Sequence, residues 1–126
     1  MEYHYKENIK RKREVETMAN EFKDKIGNLL IGWGITPNLK GFYYILDAVE
    51  THMELPNIQA MTLYQLVAEK HETDYRRVER SIQHAFSKIS EYDKVNYFGD
   101  VKYSNMGYIS IIAWKDANTT VKILVY

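Results

Sequence analysis

The chain has 126 residues, enough for one domain around a single core, and its 17 Lys+Arg balance 17 Asp+Glu, so any nucleic-acid footprint must come from clustered charge and not from the total. It has no cysteine, which excludes disulfides, zinc-finger spacing and a thiol nucleophile. No apolar run approaches the roughly 20 residues of a membrane span, and the N-terminus MEYHYKENIKRKREVE is too charged for a secretory signal, so the chain reads as soluble and cytoplasmic.

Apolar residues at Val15, Met18, Ala19, Phe22, Ile26, Leu29, Leu30 and Trp33 recur at helical spacing and predict a first helix of about five turns. Gly32 and Gly34 end it, and Pro37 reinforces the stop. The basic run Lys10-Arg11-Lys12-Arg13 before it reads as a solvated helix start, or as a strip that lies along phosphates. A second helix is expected from a cap at Asn38 to about Met53, with Phe42, Ile45, Leu46, Val49 and Met53 inward. Pro56 and Asn57 break the chain. Thr62 is expected to cap a short helix from Leu63 to about His71, with Leu63, Leu66 and Val67 on one side.

After a turn at residues 71–73, Thr73 or Asp74 caps a longer helix to about Ile89, whose inward stripe is Val78, Ile82, Ala85 and Ile89. Glu91-Tyr92-Asp93 reads as a break and Tyr97-Phe98-Gly99 as a packed turn. Asn105 is expected to cap a last helix with Ile109, Ile112 and Ala113 inward. The tail over residues 121–126 reads either as a short edge strand or as an extended arm. The fold expected is all-α, about six helices with a helix-turn-helix and no wing. Residues 1–25 are expected to form a helical extension and residues 26–126 the helix-turn-helix domain.

The informative unit spans residues 62–89: a short helix, a tight turn and a longer helix. In a helix-turn-helix the first helix braces the second, which lies in the major groove. That packing needs a small residue where the helices cross and a β-branched residue about ten positions later, and Ala68 and Val78 supply them. Glu72 stands where such turns often carry glycine. Opposite the inward stripe of the longer helix, Gln83, Arg76, Ser87, Arg80 and His84 share a face, flanked by Glu79 and Arg77. Arginine pairs bidentately with guanine, glutamine reads adenine and glutamate accepts from cytosine. A helix built only for solvation would more often carry Lys and Glu at i, i+4 spacing.

The string Arg77-Val78-Glu79-Arg80-Ser81-Ile82-Gln83-His84-Ala85 closely resembles the recognition helix of the C-terminal DNA-binding effector domain of the stage-zero sporulation response regulator. Gly34-Ile35 with Leu39-Lys40-Gly41-Phe42-Tyr43-Tyr44 looks like that family's entry into its second helix. Leu63-Tyr64 with Val67-Ala68-Glu69-Lys70 looks like its bracing helix, and Phe98-Gly99, Asn105 and Tyr108-Ile109 match more loosely. The resemblance covers residues 26–117. It implies an all-helical, nucleoid-associated bacterial transcription regulator that binds a short asymmetric box of double-stranded DNA, of the TGTCGAA type, with two copies able to sit head to tail. By the same resemblance Arg77, Glu79, Arg80 and His84 face DNA, and Lys40 stands at a basic position that suits a phosphate. Three departures stand out: Gln83 replaces a usual arginine, Arg76 replaces a small polar residue, and the family's receiver domain does not occur in these residues, so control by phosphorylation of this chain is not expected.

Other sites fail on spacing. The four histidines (His4, His52, His71, His84) have no metal-ligand pattern, no nucleophile elbow supports a Ser/His/Asp set, and Gly32-x-Gly34 lacks a phosphate loop's third glycine. Neither an enzymatic role nor a cofactor is expected. The scattered tyrosines lack the alternation of a base-stacking platform. The alternative to a DNA reader is a protein-interaction module that partners or competes with a full-length relative. In either reading Val15, Met18, Ala19 and Phe22 need cover, from a second copy in a homodimer or from the 121–126 tail.

Overall fold

The computed structural model describes residues 20–117, and among these the regular structure is all helical, without a strand. Helix α1 covers residues 20–32 and runs without interruption across residue 25, the expected edge of the extension. Phe22, Ile26, Leu30 and Trp33 are buried on its inner stripe. Phe22, expected at a dimer surface, is therefore packed in its own chain's core, because the same 3–4 periodicity that carries Ile26 and Leu30 inward carries it too. Val15, Met18, Ala19, the basic run at residues 10–13 and the 121–126 tail lie outside the described residues. Gly34, not Gly32, ends α1. Its φ of 92° opens a left-handed cap in which the Ile35 N–H donates to the Leu30 carbonyl (2.9 Å) and the Gly34 N–H to Ile31 (3.0 Å).

Helix α2 (Lys40–Glu54) is the central element, packed against the third, fourth and sixth helices and the turn that follows them. Phe42, Tyr44, Ile45, Ala48 and Val49 are buried, and Leu46 and Met53 are half-buried against the core. Asn38 is not its cap. The N-cap is Leu39, which offers no side-chain bond, while Asn38 accepts from the Thr36 hydroxyl within the preceding turn.

Helix α3 (Ala60–Lys70) starts earlier than expected, so Thr62 lies inside it and Gln59 holds the N-cap position. Its buried positions are Leu63, Tyr64, Val67 and Ala68. Leu66 is 40% exposed, a correction to its expected inward place: with Leu63, Val67 and Ala68 setting the face, position 66 falls outside it. The end of α3 repeats the cap of α1 without glycine. Thr73 N–H donates to Ala68 (2.9 Å), Glu72 N–H to Glu69 (3.3 Å), and Glu72 sits at φ 53°. A left-handed non-glycine residue costs about 1–2 kcal/mol, against roughly 0.5–1 kcal/mol for the extra chain entropy of glycine. Glu72→Gly is thus expected to raise stability by about 0.5–1 kcal/mol in urea unfolding, and a loss of stability would refute this account of the turn.

Helix α4 (Tyr75–Phe86) begins at the Asp74 cap, whose carboxylate accepts from the Arg77 N–H at 3.0 Å. It stops at Phe86, three residues short of the expected end. Tight i→i+3 bonds from Lys88 to Ala85 and from Ile89 to Phe86 close it, and Ile89 is buried in the turn beyond. Val78, Ile82 and Ala85 are fully buried, and α4 packs on both α2 and α3. The helix-turn-helix is formed.

Glu91-Tyr92-Asp93 is not a break but the first turn of α5 (Glu91–Phe98). Ser90 accepts from the Asp93 N–H at 3.1 Å, so Ser-x-x-Asp was a capping signature. Tyr97 and Phe98 lie in its last turn and pack on Trp33, with ring centroids 4.7 and 5.4 Å from it. The cap of α6 (Asn105–Ile112) is Ser104, one residue before the expected Asn105, and Ile109, Ile112 and Ala113 are inward as expected. A π-turn (Ala113–Ala117) follows. There the Tyr97 hydroxyl donates to Asp116, and Lys25 donates to the Asp116 carbonyl at 2.9 Å, so the turn is tied to α5 and α1. Burial and the neighbouring Asp116 push the Tyr97 phenol far above its ordinary range.

Candidate nucleic-acid interface

Four buried residues, Val78, Ile82, Ala85 and Phe86, fix how α4 rotates about its axis. The 3.6-residue repeat then sends everything between them outward. Arg76, Arg77, Glu79, Arg80, Gln83 and His84 are all exposed, so the structure brings the predicted face together on one helix. Ser87 is exposed too, but at the C-cap, where its hydroxyl donates to the His84 carbonyl.

The three arginines differ in how they are held. Arg76 Nε donates to the Tyr75 hydroxyl at 3.3 Å, and its guanidinium lies 5.7 Å from that ring's centroid. Arg77 turns back to its own cap, 3.5 Å from the Asp74 carboxylate, an exposed pair that another anion can displace at little cost. Among the described residues nothing holds the Arg80 guanidinium.

Lys40 joins this face from α2. With Leu39, Gly41, Arg80, Ser81 and His84 it lines a shallow groove where the N-terminus of α2 crosses the middle of α4. No acidic residue occupies the first turn of α2, and Leu39 gives it no side-chain cap. The groove therefore combines two permanent cations, an imidazole and the positive end of a helix. This clustered charge exists in a chain whose formal net charge is zero. Glu79 lies exposed on the other flank of α4, and its backbone carbonyl accepts weakly from Asn105 of α6 at 3.5 Å.

Sequence reasoning missed Gly41, the residue that lets the two helices approach. A Cβ on it would lie 2.3 Å from the Ser81 carbonyl oxygen and 2.7 Å from the Ala85 Cβ. A glycine inside a helical pattern with no turn to make was the available signal. Tyr75 was missed for another reason: its role is to support Arg76, and nothing in the spacing of the outward face points to it.

No group of three or more His, Asp or Glu side chains among the described residues is placed to hold a metal ion. No helix among them is long and apolar enough to cross a membrane. A protein-family model described as "Sporulation initiation factor Spo0A C terminal" matches residues 26–118.

Proposed function

The chain belongs to the family of sporulation initiation factor Spo0A C-terminal domains, a family of DNA-binding transcription regulators, and we propose that it reads DNA with the outward face of α4 in the major groove. The observation that carries this is the joint exposure of Arg76, Arg77, Arg80, Gln83 and His84 beside Lys40. It favours DNA over the protein-interaction alternative, which would have that face covered. In this reading Arg80, Gln83 and Glu79 address base edges, while Arg76 and Arg77 at the start of the helix and His84 add to the same surface. Lys40, at the N-terminus of α2, contacts phosphate. Ser87 lies at the edge of the surface. The family match begins at residue 26, but α1 already covers residues 20–25 and Phe22 packs in the same core, so the DNA-binding unit takes in α1 from residue 20.

The test is selection from a pool of random duplexes, followed by titration of the enriched duplex and a scrambled one, with a TGTCGAA-type box as a further probe. An enriched sequence bound much more tightly than the scrambled duplex is the expected result. No enrichment sinks the proposal. Lys40→Ala should weaken binding to both duplexes about equally and reduce the salt slope by about one unit, because one phosphate contact is lost. A loss confined to the enriched duplex would make Lys40 a base reader instead.

A further inference from the structure

Among the described residues, Asp47 in the middle of α2 is the buried charged side chain, 7% exposed. Both of its carboxylate oxygens are held from α3. Lys70 Nζ donates to Oδ1 at 3.0 Å, and His71 Nε2 pairs with Oδ2. The Tyr44 ring, one turn earlier on α2, meets the His71 imidazole edge-on with centroids 4.9 Å apart. Lys70 is the last residue of α3 and His71 its C-cap. These contacts therefore grip the chain immediately before Glu72, the left-handed residue that starts the turn into α4.

Two facts make this more than packing. A buried carboxylate with a cationic partner adds little net stability, because desolvation offsets the attraction, and selecting one arrangement is a role such groups take in some folds. A non-glycine residue in the left-handed region persists only where its surroundings over-determine it. The Lys70 ammonium suits the C-terminal end of α3, where the helix dipole is negative. The hydrogen bond to Asp47 also raises the Lys70 pKa, so that partner stays charged.

We infer that Asp47 is a positioning residue for α4: by pinning Lys70 and His71 it fixes the left-handed turn at Glu72, and so the angle at which α4 is presented to DNA. This rests on the proposal that α4 reads DNA. The test uses the full chain with Asp47→Asn, Lys70→Met and His71→Gln, and two readouts. The first is amide exchange at Thr73, whose N–H closes the turn onto Ala68. It is expected to speed up about tenfold while amides of α1 and α6 change by less than about threefold. The second is the ratio of affinities for the enriched and scrambled duplexes, expected to fall about fivefold or more with scrambled-duplex affinity nearly unchanged.

Exchange that rises equally in α1 and α6 would mean general destabilisation and overturn the inference, as would an unchanged affinity ratio. Should Asp47→Asn fail to fold, Lys70→Met and His71→Gln alter the more exposed partners and are read by the same criteria. Should the unmodified chain select no DNA sequence, the reading of α4 fails, and an unchanged Thr73 exchange would separately overturn the role of Asp47 in the turn.

Discussion

Gly41→Ala is expected to destabilise the chain by about 1–3 kcal/mol, although alanine is the better helix former. The added Cβ meets the Ser81 backbone oxygen at 2.3 Å and the Ala85 Cβ at 2.7 Å. Neither atom is the end of a flexible side chain, so one helix must move away from the other. α2 is also packed on α3, α6 and the π-turn, and α4 on α3 and α6, so the displacement is shared and opens the groove between them. Lys40 is adjacent to the added methyl, and Arg80 and His84 lie across the groove, so preference for the enriched duplex should drop together with stability. Gly32→Ala is the control. Nothing lies within 4 Å of a Cβ there and the residue is helical, so propensity alone acts and stability should rise by roughly 0.5–1 kcal/mol. Paired urea unfolding of the two variants decides the matter. A Gly41→Ala chain as stable as the parent would show that α2 and α4 do not approach this closely.

The elements that could be read from sequence are those whose apolar spacing is long and regular. The inward residues of α1 and α4 are legible because each set repeats over two or more turns against a polar background, and those of α6 rest on the single set Ile109, Ile112 and Ala113. What failed was local. Glu91-Tyr92-Asp93 looks like a break because it is polar, although those residues are the first turn of α5 behind a serine cap, where acids belong. Residue type alone points to Asn38, Thr62 and Asn105 as caps, but a cap depends on where the backbone turns extended, and Leu39, Gln59 and Ser104 sit at those points. Hydrophobicity alone points Leu66 inward, yet Leu63, Val67 and Ala68 set a face that leaves it out. The exposed residues of α4 were legible through their inward neighbours. The groove was not, because it joins residues about forty positions apart through a glycine that has no chemistry of its own.

Arg80→Ala is expected to weaken binding to the enriched duplex by about 1–3 kcal/mol, with a much smaller loss on the scrambled one. Arg76 is engaged by Tyr75 and Arg77 by Asp74, both close to the start of α4. Arg80 lies one turn further along, is exposed, and has no partner among the described residues. It can therefore align its fork with a guanine edge without first breaking a contact. Its neighbours in the groove are Lys40 and His84, and crowding of positive charge favours an acceptor-rich partner at that point. Arg80→Lys separates charge from geometry. Lysine keeps the cation but loses the planar pair of donors, so scrambled-duplex affinity should hold while much of the preference disappears. If both substitutions cost the two duplexes equally, Arg80 contacts phosphate only, and base reading would have to pass to Gln83 and Glu79.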